Sequence, residues 1–455
     1  MINLFEYQNK VPRPTTMEGL EAFLDRIWNN RERSDYFISG SGLAIEAQRF
    51  IQFIHKSDEI KSNKYVGVIH FGGRTINLLP KIFFDSERNY SKKEVAQIHY
   101  HILWWLSYCR KTKFPSYNSQ LGNTSGDFFE VLIYQFSKYT RELLNSSVYR
   151  QYQEVSNELP YIKGRLDTNT YINENISTGR WHKLSCTYDA FVVDNKFNRI
   201  IKDVTKMLFN VTMVQENKKY LREILFMLDE VGDETSTAEQ CMNIFFNPML
   251  AEFEVVRDYC ILFLSGSISY DYKNDMKLFA FLIPMEYLFE DFVFGFINKE
   301  LPDLKAKSQR SDTYLDEERD FNLRPDLYIE TPTNSLIADT KYKIVYSDES
   351  DPKKGIKQGD LYQMLAYAVR FNVDEIILFY PNTVSQDQEN KTSLIIKDAL
   401  ADDKEISIKA FQLPIINRDL LNSPINERTH LRELFESTKQ ELKKKIEGIL
   451  MPLVD

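Results

Sequence analysis

The sequence predicts an α/β chain, α+β overall: an N-terminal β-rich plus helical module, followed by an α/β domain whose mixed sheet is flanked by helices. Three observations carry this expectation. Short β-rich runs bounded by turn residues recur near both ends, and long apolar patterns of helical period lie between them. One hairpin-like stretch, Phe321 to Ala368, concentrates carboxylates and an ammonium and runs on into a helix. With 455 residues the chain exceeds one ordinary core. The expected division falls at Ala251, within a boundary region from Glu230 to Tyr270, giving a module of residues 1–251 and a domain of residues 252–455.

Taken in order, Glu18 to Arg31 has helical periodicity through Leu20, Phe23, Leu24 and Ile27, and strands are expected at Tyr36 to Ser39 and Tyr65 to Phe71. Gly72-Gly73 separates Val66–Phe71 from Thr75–Leu79, the pattern of a hairpin closed by a turn with positive φ. Glu94 to Cys109 and Asp127 to Leu144 read as buried helices, with Trp104-Trp105 in the core. Leu159 to Leu166 sets Lys163 and Arg165 beside Gly164, either as a turn before a strand or as a contact for phosphate or an acidic surface. Asp194 suits the N-cap of a helix in which Asn198 and Arg199 order the domain through buried hydrogen bonds. Phe253 to Leu264 resumes helical pattern, Asp374 to Pro381 and Lys404 to Pro414 read as strands, and His430 to Leu450 as a final helix. Its Lys443-Lys444-Lys445 is a solvated face or a DNA-backbone contact.

Composition excludes several classes. A hydrophobic share of 43% and an aromatic share of 13% suit a globular chain, while a net charge of −9 argues against a surface basic throughout. Cys109, Cys186, Cys241 and Cys260 stand far apart, and no apolar leader precedes MINLFEYQNK, so a cytoplasmic protein is expected. The apolar run Leu278 to Phe296 is divided by Pro284, Glu286, Glu290 and Asp291, and no membrane role follows. The histidines show no metal-ligand cluster, and the G-x-S-x-G of serine hydrolases is absent. Gly40-Ser41-Gly42 lacks the G-K-[S/T] ending of a phosphate-cradling loop, so the chain is expected neither to bind nor to hydrolyse nucleotide by itself.

The chemistry is expected at the C-terminal hairpin. Leu327-Tyr328-Ile329 and Leu336-Ile337-Ala338 form two β-rich runs around Thr331-Pro332-Thr333-Asn334-Ser335. Asp326 enters the first strand, and Asp339 and Lys341, two apart at the end of the second, share a face. Paired carboxylates repel unless a cation lies between them, and hard oxygen ligands with room for water and phosphate suit Mg²⁺. Lys341 then eases formation of hydroxide and stabilises developing negative charge. Pro325-Asp326 followed by Asp339-Thr340-Lys341 is the PD-(D/E)xK nuclease pattern, and a helix with Asp360 near its N-cap follows it. On that helix Gln363 either orients a water or the scissile phosphate or packs against the hairpin. On the upstream Met285–Val293 helix, Glu290 is either a further metal ligand or an exposed carboxylate.

Six phrases in order, VGVIHFGGRTINLLPKI, LPYIKGRLD, CTYDAFVVDNKFNRI, LRPDLYI, ADTKYK and DLYQMLAYA, resemble the McrC family, the nuclease subunit of McrBC-type (5-methylcytosine-dependent) restriction systems. The resemblance implies a Mg²⁺-dependent endonuclease for double-stranded DNA. It also implies an McrB-like AAA+ GTPase ring as partner, which binds the GTP and whose turnover this chain stimulates. Contact is expected through the N-terminal module at Val66 to Phe83, where Arg74 and Lys81 offer cations. Two other readings of the same residues stay open: a non-catalytic assembly subunit of an NTPase, and a repair or RNA nuclease with this fold.

Overall fold

The computed structural model describes residues 2–13, 19–22, 24–25, 50–71, 74–109, 128–269, 279–308, 313–330, 335–344, 356–385, 392–398, 404–422 and 431–451. Most of the Glu18–Arg31 pattern, the strand at Tyr36–Ser39, the Gly40–Gly42 and Gly72-Gly73 turns, and the Thr331–Asn334 turn lie outside them. The chain divides into two compact units. One gathers Met1–Leu132 and Ser265–Asp455, and the other is Ile133–Leu264.

The first unit opens with β1 (Ile2–Phe5), β2 (Lys10–Pro12), β3 (Ile51–Ile54), β4 (Glu59–Ser62), β5 (Tyr65–Phe71) and β6 (Arg74–Leu79). β5 and β6 pair antiparallel, as Gly72-Gly73 predicts, and β1 runs parallel to β6. Leu4, Ile51, Ile60, Ile69, Ile76 and Leu78 are wholly buried in the core between this sheet and the small β2-β4-β3 sheet. The Lys92–Leu106 helix starts in a capping box, Ser91 with Glu94. The paired tryptophans are core: the Trp104 ring stacks on Phe435 at 4.8 Å, and Trp105 is buried.

In the second unit, β7 (Gln151–Leu159) and β8 (Arg165–Leu166) pair with β9 (Leu184–Val192) into an antiparallel sheet β7-β9-β8. Nearly every residue of β7 is exposed. Gly164 has φ +70°, and a Cβ there would lie 2.5 Å from the Thr187 carbonyl oxygen, so only glycine fits. The Lys196–Val211 helix is capped by Asn195, not by Asp194: the Asn195 side chain accepts from the Asn198 N–H. Asp194 instead takes the Arg199 guanidinium at 2.7 and 3.0 Å. Buried Asn198 donates to the carbonyls of Tyr149 and Val193 at 2.8 and 2.7 Å, the ordering role its place predicts.

The chain then returns to the first unit with β10 (Ser267–Ser269) and β11 (Phe279–Pro284), and β11 pairs antiparallel with β5. A single sheet, β1-β6-β5-β11-β10, therefore spans the division expected at Ala251. Local pattern marks where strands lie but not that residues near 65–71 pair with residues near 279–284. The compact units consequently fall at Leu132/Ile133 and Leu264/Ser265.

The Met285–Glu300 helix leads into β12 (Lys305–Ser308), the short pair β13 (Thr313–Tyr314) and β14 (Asn322–Leu323), β15 (Leu327–Glu330) and β16 (Ser335–Thr340). Then come the Gln358–Phe371 helix, β17 (Glu375–Pro381), β18 (Thr392–Asp398) and β19 (Lys404–Leu413). The six-stranded order is β12-β15-β16-β17-β19-β18, with β16, β17 and β19 parallel and the rest antiparallel. The Gln358–Phe371 helix is the crossover between parallel β16 and β17. Ile337, Met364, Tyr367, Ala368, Ile376, Leu378 and Ile408 share its core. Lys357 rather than Asp360 holds its N-cap position, and Asp360 sits in the first turn. No helix among the described residues is long and apolar enough to cross a membrane.

Candidate active site

The register of the β15–β16 hairpin builds the site. Leu327 faces Ala338, so one step further out Asp326 lies opposite Asp339, and cross-strand partners present their side chains to the same face. That face is fixed by Ile337, which shares one buried core with Met364 and Tyr367 of the Gln358–Phe371 helix. Asp339 and Lys341 follow at steps of two and so look towards that helix. The backbone at the strand end is held by the Lys341 N–H donating to the Phe379 carbonyl at 2.8 Å.

Within the group, the carboxylates are unequally served. Asp326 Oδ2 accepts from both the backbone N–H and the hydroxyl of Thr340, each at 2.8 Å. Asp339 is 1% exposed, yet neither of its oxygens has a well-aligned hydrogen-bond donor. Its compensation is the ion pair between Oδ2 and the Lys341 ammonium. Burial, and next the nearby charge of Asp326, push the Asp339 carboxyl up to about 7, although Lys341 pulls the other way. Burial also raises Asp326 against the opposing bonds from Thr340. For Lys341 burial favours the neutral amine, but the charges of Asp339, Asp326 and Asp360 outweigh it and hold the ammonium charged.

Gln363 is drawn into this cluster: its Oε1 accepts from Lys341 Nζ at 3.3 Å, and its Nε2 donates to the Tyr367 hydroxyl at 2.8 Å. Tyr367 in turn donates to the Arg324 carbonyl at 3.0 Å, two residues before Asp326. Sequence reasoning missed Tyr367 and Thr340. The available signals were the spacing of Tyr367 one helical turn beyond Gln363, and the hydroxyl inside D-T-K. Glu290 is half-buried and near enough for its charge to raise Asp339 further. It does not complete a cage: among the described residues, no three His, Cys, Asp or Glu side chains converge as a metal site.

A divalent cation nevertheless fits. Two buried carboxylates side by side, both raised by burial and Asp339 raised further by the charge of Asp326, with one ammonium between them, are an arrangement that a hard cation relieves. Mg²⁺ commonly takes only one or two protein carboxylates and completes its shell with water and phosphate oxygens, which suits a pair rather than a cage.

The two N-terminal cations part company. Arg74 begins β6 and is exposed. Lys81 is turned inward, its Nζ donating to the Tyr342 carbonyl at 2.7 Å, so it does not present a charge to a partner. Its hairpin is also no projecting arm, because β5 and β6 lie inside the sheet between β1 and β11. At the other end of the chain, Lys444 and Lys445 line a surface cavity with Glu441 and Phe411.

A family model described as McrBC 5-methylcytosine restriction system component matches residues 60–381, well over half of the chain. No curated protein matches. Among solved structures, a chain of the half-complex from the tetradecameric assembly of Thermococcus gammatolerans McrB AAA+ hexamers with bound McrC is similar over 98% of this chain and 99% of its own length, with TM-score 0.63 and 16% identity. A chain of the T. gammatolerans McrBC complex is similar over 66% of this chain and 88% of its own, with TM-score 0.50 and 18% identity. At such identities the likeness speaks for the fold.

Proposed function

We propose a function from one premise: the chain belongs to the family of McrBC 5-methylcytosine restriction system components. It is the Mg²⁺-dependent endonuclease subunit of such a complex, with a PD-(D/E)xK type of site, cutting double-stranded DNA when assembled with an AAA+ GTPase ring of the McrB kind. The observation that carries this reading is the buried Asp339, whose one compensating contact among the described residues is the Lys341 ammonium at Oδ2, while a second buried carboxylate, Asp326, faces it. A structural ion pair has no use for a second buried carboxylate beside the first; a metal-assisted phosphodiester hydrolase does.

Asp326 and Asp339 would hold the cation, with Glu290 adding negative potential nearby. When bound, Mg²⁺ supplies a Lewis acid that offsets charge on a phosphate oxygen and eases loss of a proton from water. Thr340 keeps Asp326 oriented through its two hydrogen bonds. Lys341 places a fixed positive charge where the attacking oxygen and the developing phosphorane charge need it. Gln363 and Tyr367 hold that ammonium in direction, linking it back to the backbone ahead of Asp326. GTP chemistry belongs to the partner, since this sequence has no loop to cradle a triphosphate.

For the partner contact the second unit is the better surface. Tyr152, Trp181, Ile162 and Phe191 are each more than half exposed on or beside its β7-β9-β8 sheet, close in sequence to Lys163 and Arg165. The test is direct: full-length chain, GTPase partner, GTP, Mg²⁺ and DNA, with wild type set against Asp339→Ala and Lys341→Ala. Both variants are expected to assemble and stimulate GTP turnover without cutting. Undiminished cutting by both would overturn the reading.

A further inference from the structure

A second polar cluster lies behind the catalytic strand, and no step described above uses it. Glu6 follows β1, is 1% exposed and is fixed to β6 by its own N–H donating to the Leu79 carbonyl at 3.0 Å. Its Oε2 accepts from the Tyr342 hydroxyl at 3.0 Å and from the Lys81 backbone N–H at 3.2 Å. The Lys81 ammonium donates to the Tyr342 carbonyl at 2.7 Å and lies 4.4 Å from the centre of the Tyr342 ring. Tyr342 is thus gripped at hydroxyl, carbonyl and ring face by two residues of the N-terminal sheet region. It is the residue immediately after Lys341.

The placement matters because β16 ends at Thr340. Beyond it the Lys341 N–H still bonds Phe379, and Lys343 reaches Asp360 with its ammonium at 2.7 Å. Between these two anchors the Lys343 N–H closes a tight turn on the Lys341 carbonyl at 2.8 Å, and Tyr342 ties that turn to the N-terminal sheet region. Burying a carboxylate and an ammonium is costly, and a well-packed apolar pair of the same volume is often at least as stable. The cost shows here: burial first, and then the charge of Glu286, push the Glu6 carboxyl up to about 7 despite Lys81 and Tyr342, and burial lowers Lys81. Such a cluster fixes direction rather than adding stability.

We infer that Glu6 and Lys81 are positioning residues that clamp Tyr342 and thereby hold the Lys341 ammonium against Asp339. The inference rests on the nuclease reading, which gives Lys341 its work. Through the clamp, a displacement of the N-terminal sheet relative to β16 is transmitted to the catalytic lysine. Misplacing a charge by about 1 Å is enough to slow a reaction by up to about a hundredfold.

The experiment uses the full chain in complex with its partner, measuring cleavage rate at saturating DNA and Mg²⁺ per folded molecule, the folded fraction coming from thermal melting. Tyr342→Phe removes only the hydroxyl, and Lys81→Met only the charge; each is expected to lower kcat about ten- to a hundredfold with KM for DNA unchanged. Glu6→Gln keeps an oxygen that accepts from Tyr342 and should retain much more activity than Glu6→Ala. Lys341→Ala and Asp339→Ala are run beside them. If both cut like wild type, the nuclease reading fails; if Lys341→Ala alone does, the clamp is wrong. If Lys341→Ala is inactive while Tyr342→Phe and Lys81→Met turn over normally per folded molecule, or while Glu6→Gln falls as far as Glu6→Ala, the clamp is wrong and the nuclease reading stands.

Discussion

Two acid–base clusters in this chain each centre on an aspartate beside a cation and reach opposite states. In the second unit, Asp194 receives two bonds from the Arg199 guanidinium and a third from the Gly232 N–H at 3.1 Å. Its carboxyl is held below the usual range, first by Arg199. In the first unit, Asp339 has one ammonium, a second carboxylate for a neighbour and no well-aligned donor, and its carboxyl is pushed up. The first cluster is complete as it stands. The second has one ammonium for two buried carboxylates, and that imbalance supports the proposed cation site.

The largest effect expected from this contrast is on cleavage. Asp339→Ala should lower the rate at least about a thousandfold, or roughly 4 kcal/mol of transition-state stabilisation. Asp194→Ala should leave the rate per folded molecule unchanged. Single-turnover cleavage on a supercoiled plasmid measures both, and equal losses at the two positions would erase the distinction.

Stability should differ in sign as well. Because the folded-state pKa of Asp339 is raised, its proton stabilises the fold below about pH 4, and that contribution is lost as pH rises through about 7. Asp339→Asn does not titrate. Its stability, read from the melting temperature, should therefore exceed that of the wild type at pH 8 by more than at pH 5, the free-energy difference being on the order of a few kcal/mol at most. Mg²⁺ competes with the same proton, so it should raise the wild-type melting temperature more at pH 8 than at pH 6, and chelation should reverse the gain. Asp339→Asn should respond little to either. A metal shift that is equal at both pH values and survives the substitution would place the cation elsewhere.

How much of this was legible depended on the range of the signal. The strands expected at Leu327–Ile329 and Leu336–Ala338 lie within β15 and β16, and two-residue alternation alone puts Asp339 and Lys341 on one face. That they face the Gln358–Phe371 helix also follows from adjacency, since a crossover helix packs on the sheet it joins. Lys81 was misread because a cation after a hairpin looks exposed in sequence, whereas its partner Tyr342 lies 261 positions away. Glu6 gave no signal at all for the same reason. The cap at Asn195 rather than Asp194 is a smaller miss: both residue types cap helices, and only the tie from Asp194 to Gly232, beyond local range, decides between them.

A smaller effect on cleavage separates the hydrogen-bonded support from the charges. Gln363→Ala releases the Lys341 ammonium from one partner and should cost about tenfold in rate. Tyr367→Phe, one bond further back, should cost less. The reverse order would mean that Tyr367 touches substrate itself.

The smallest effect tests the complete cluster. Asp194 has a lowered folded-state pKa, so its contribution is present above the unfolded carboxylate range and lost as pH falls through the folded value. Asp194→Asn should therefore lower the melting temperature slightly at pH 7, and the gap should narrow in acid. It should also narrow in about 1 M salt, because Asp194 and Arg199 side chains are 39% and 38% exposed and their attraction is screened. The pairing across the β5–β11 sheet and the site on β15 and β16 share no residue with this pair, so cleavage per folded molecule should not move. Were Asp194→Asn to change the pH dependence of cutting, the satisfied carboxylate would be taking part in the chemistry, and hydrogen-bond completeness would not distinguish the two clusters.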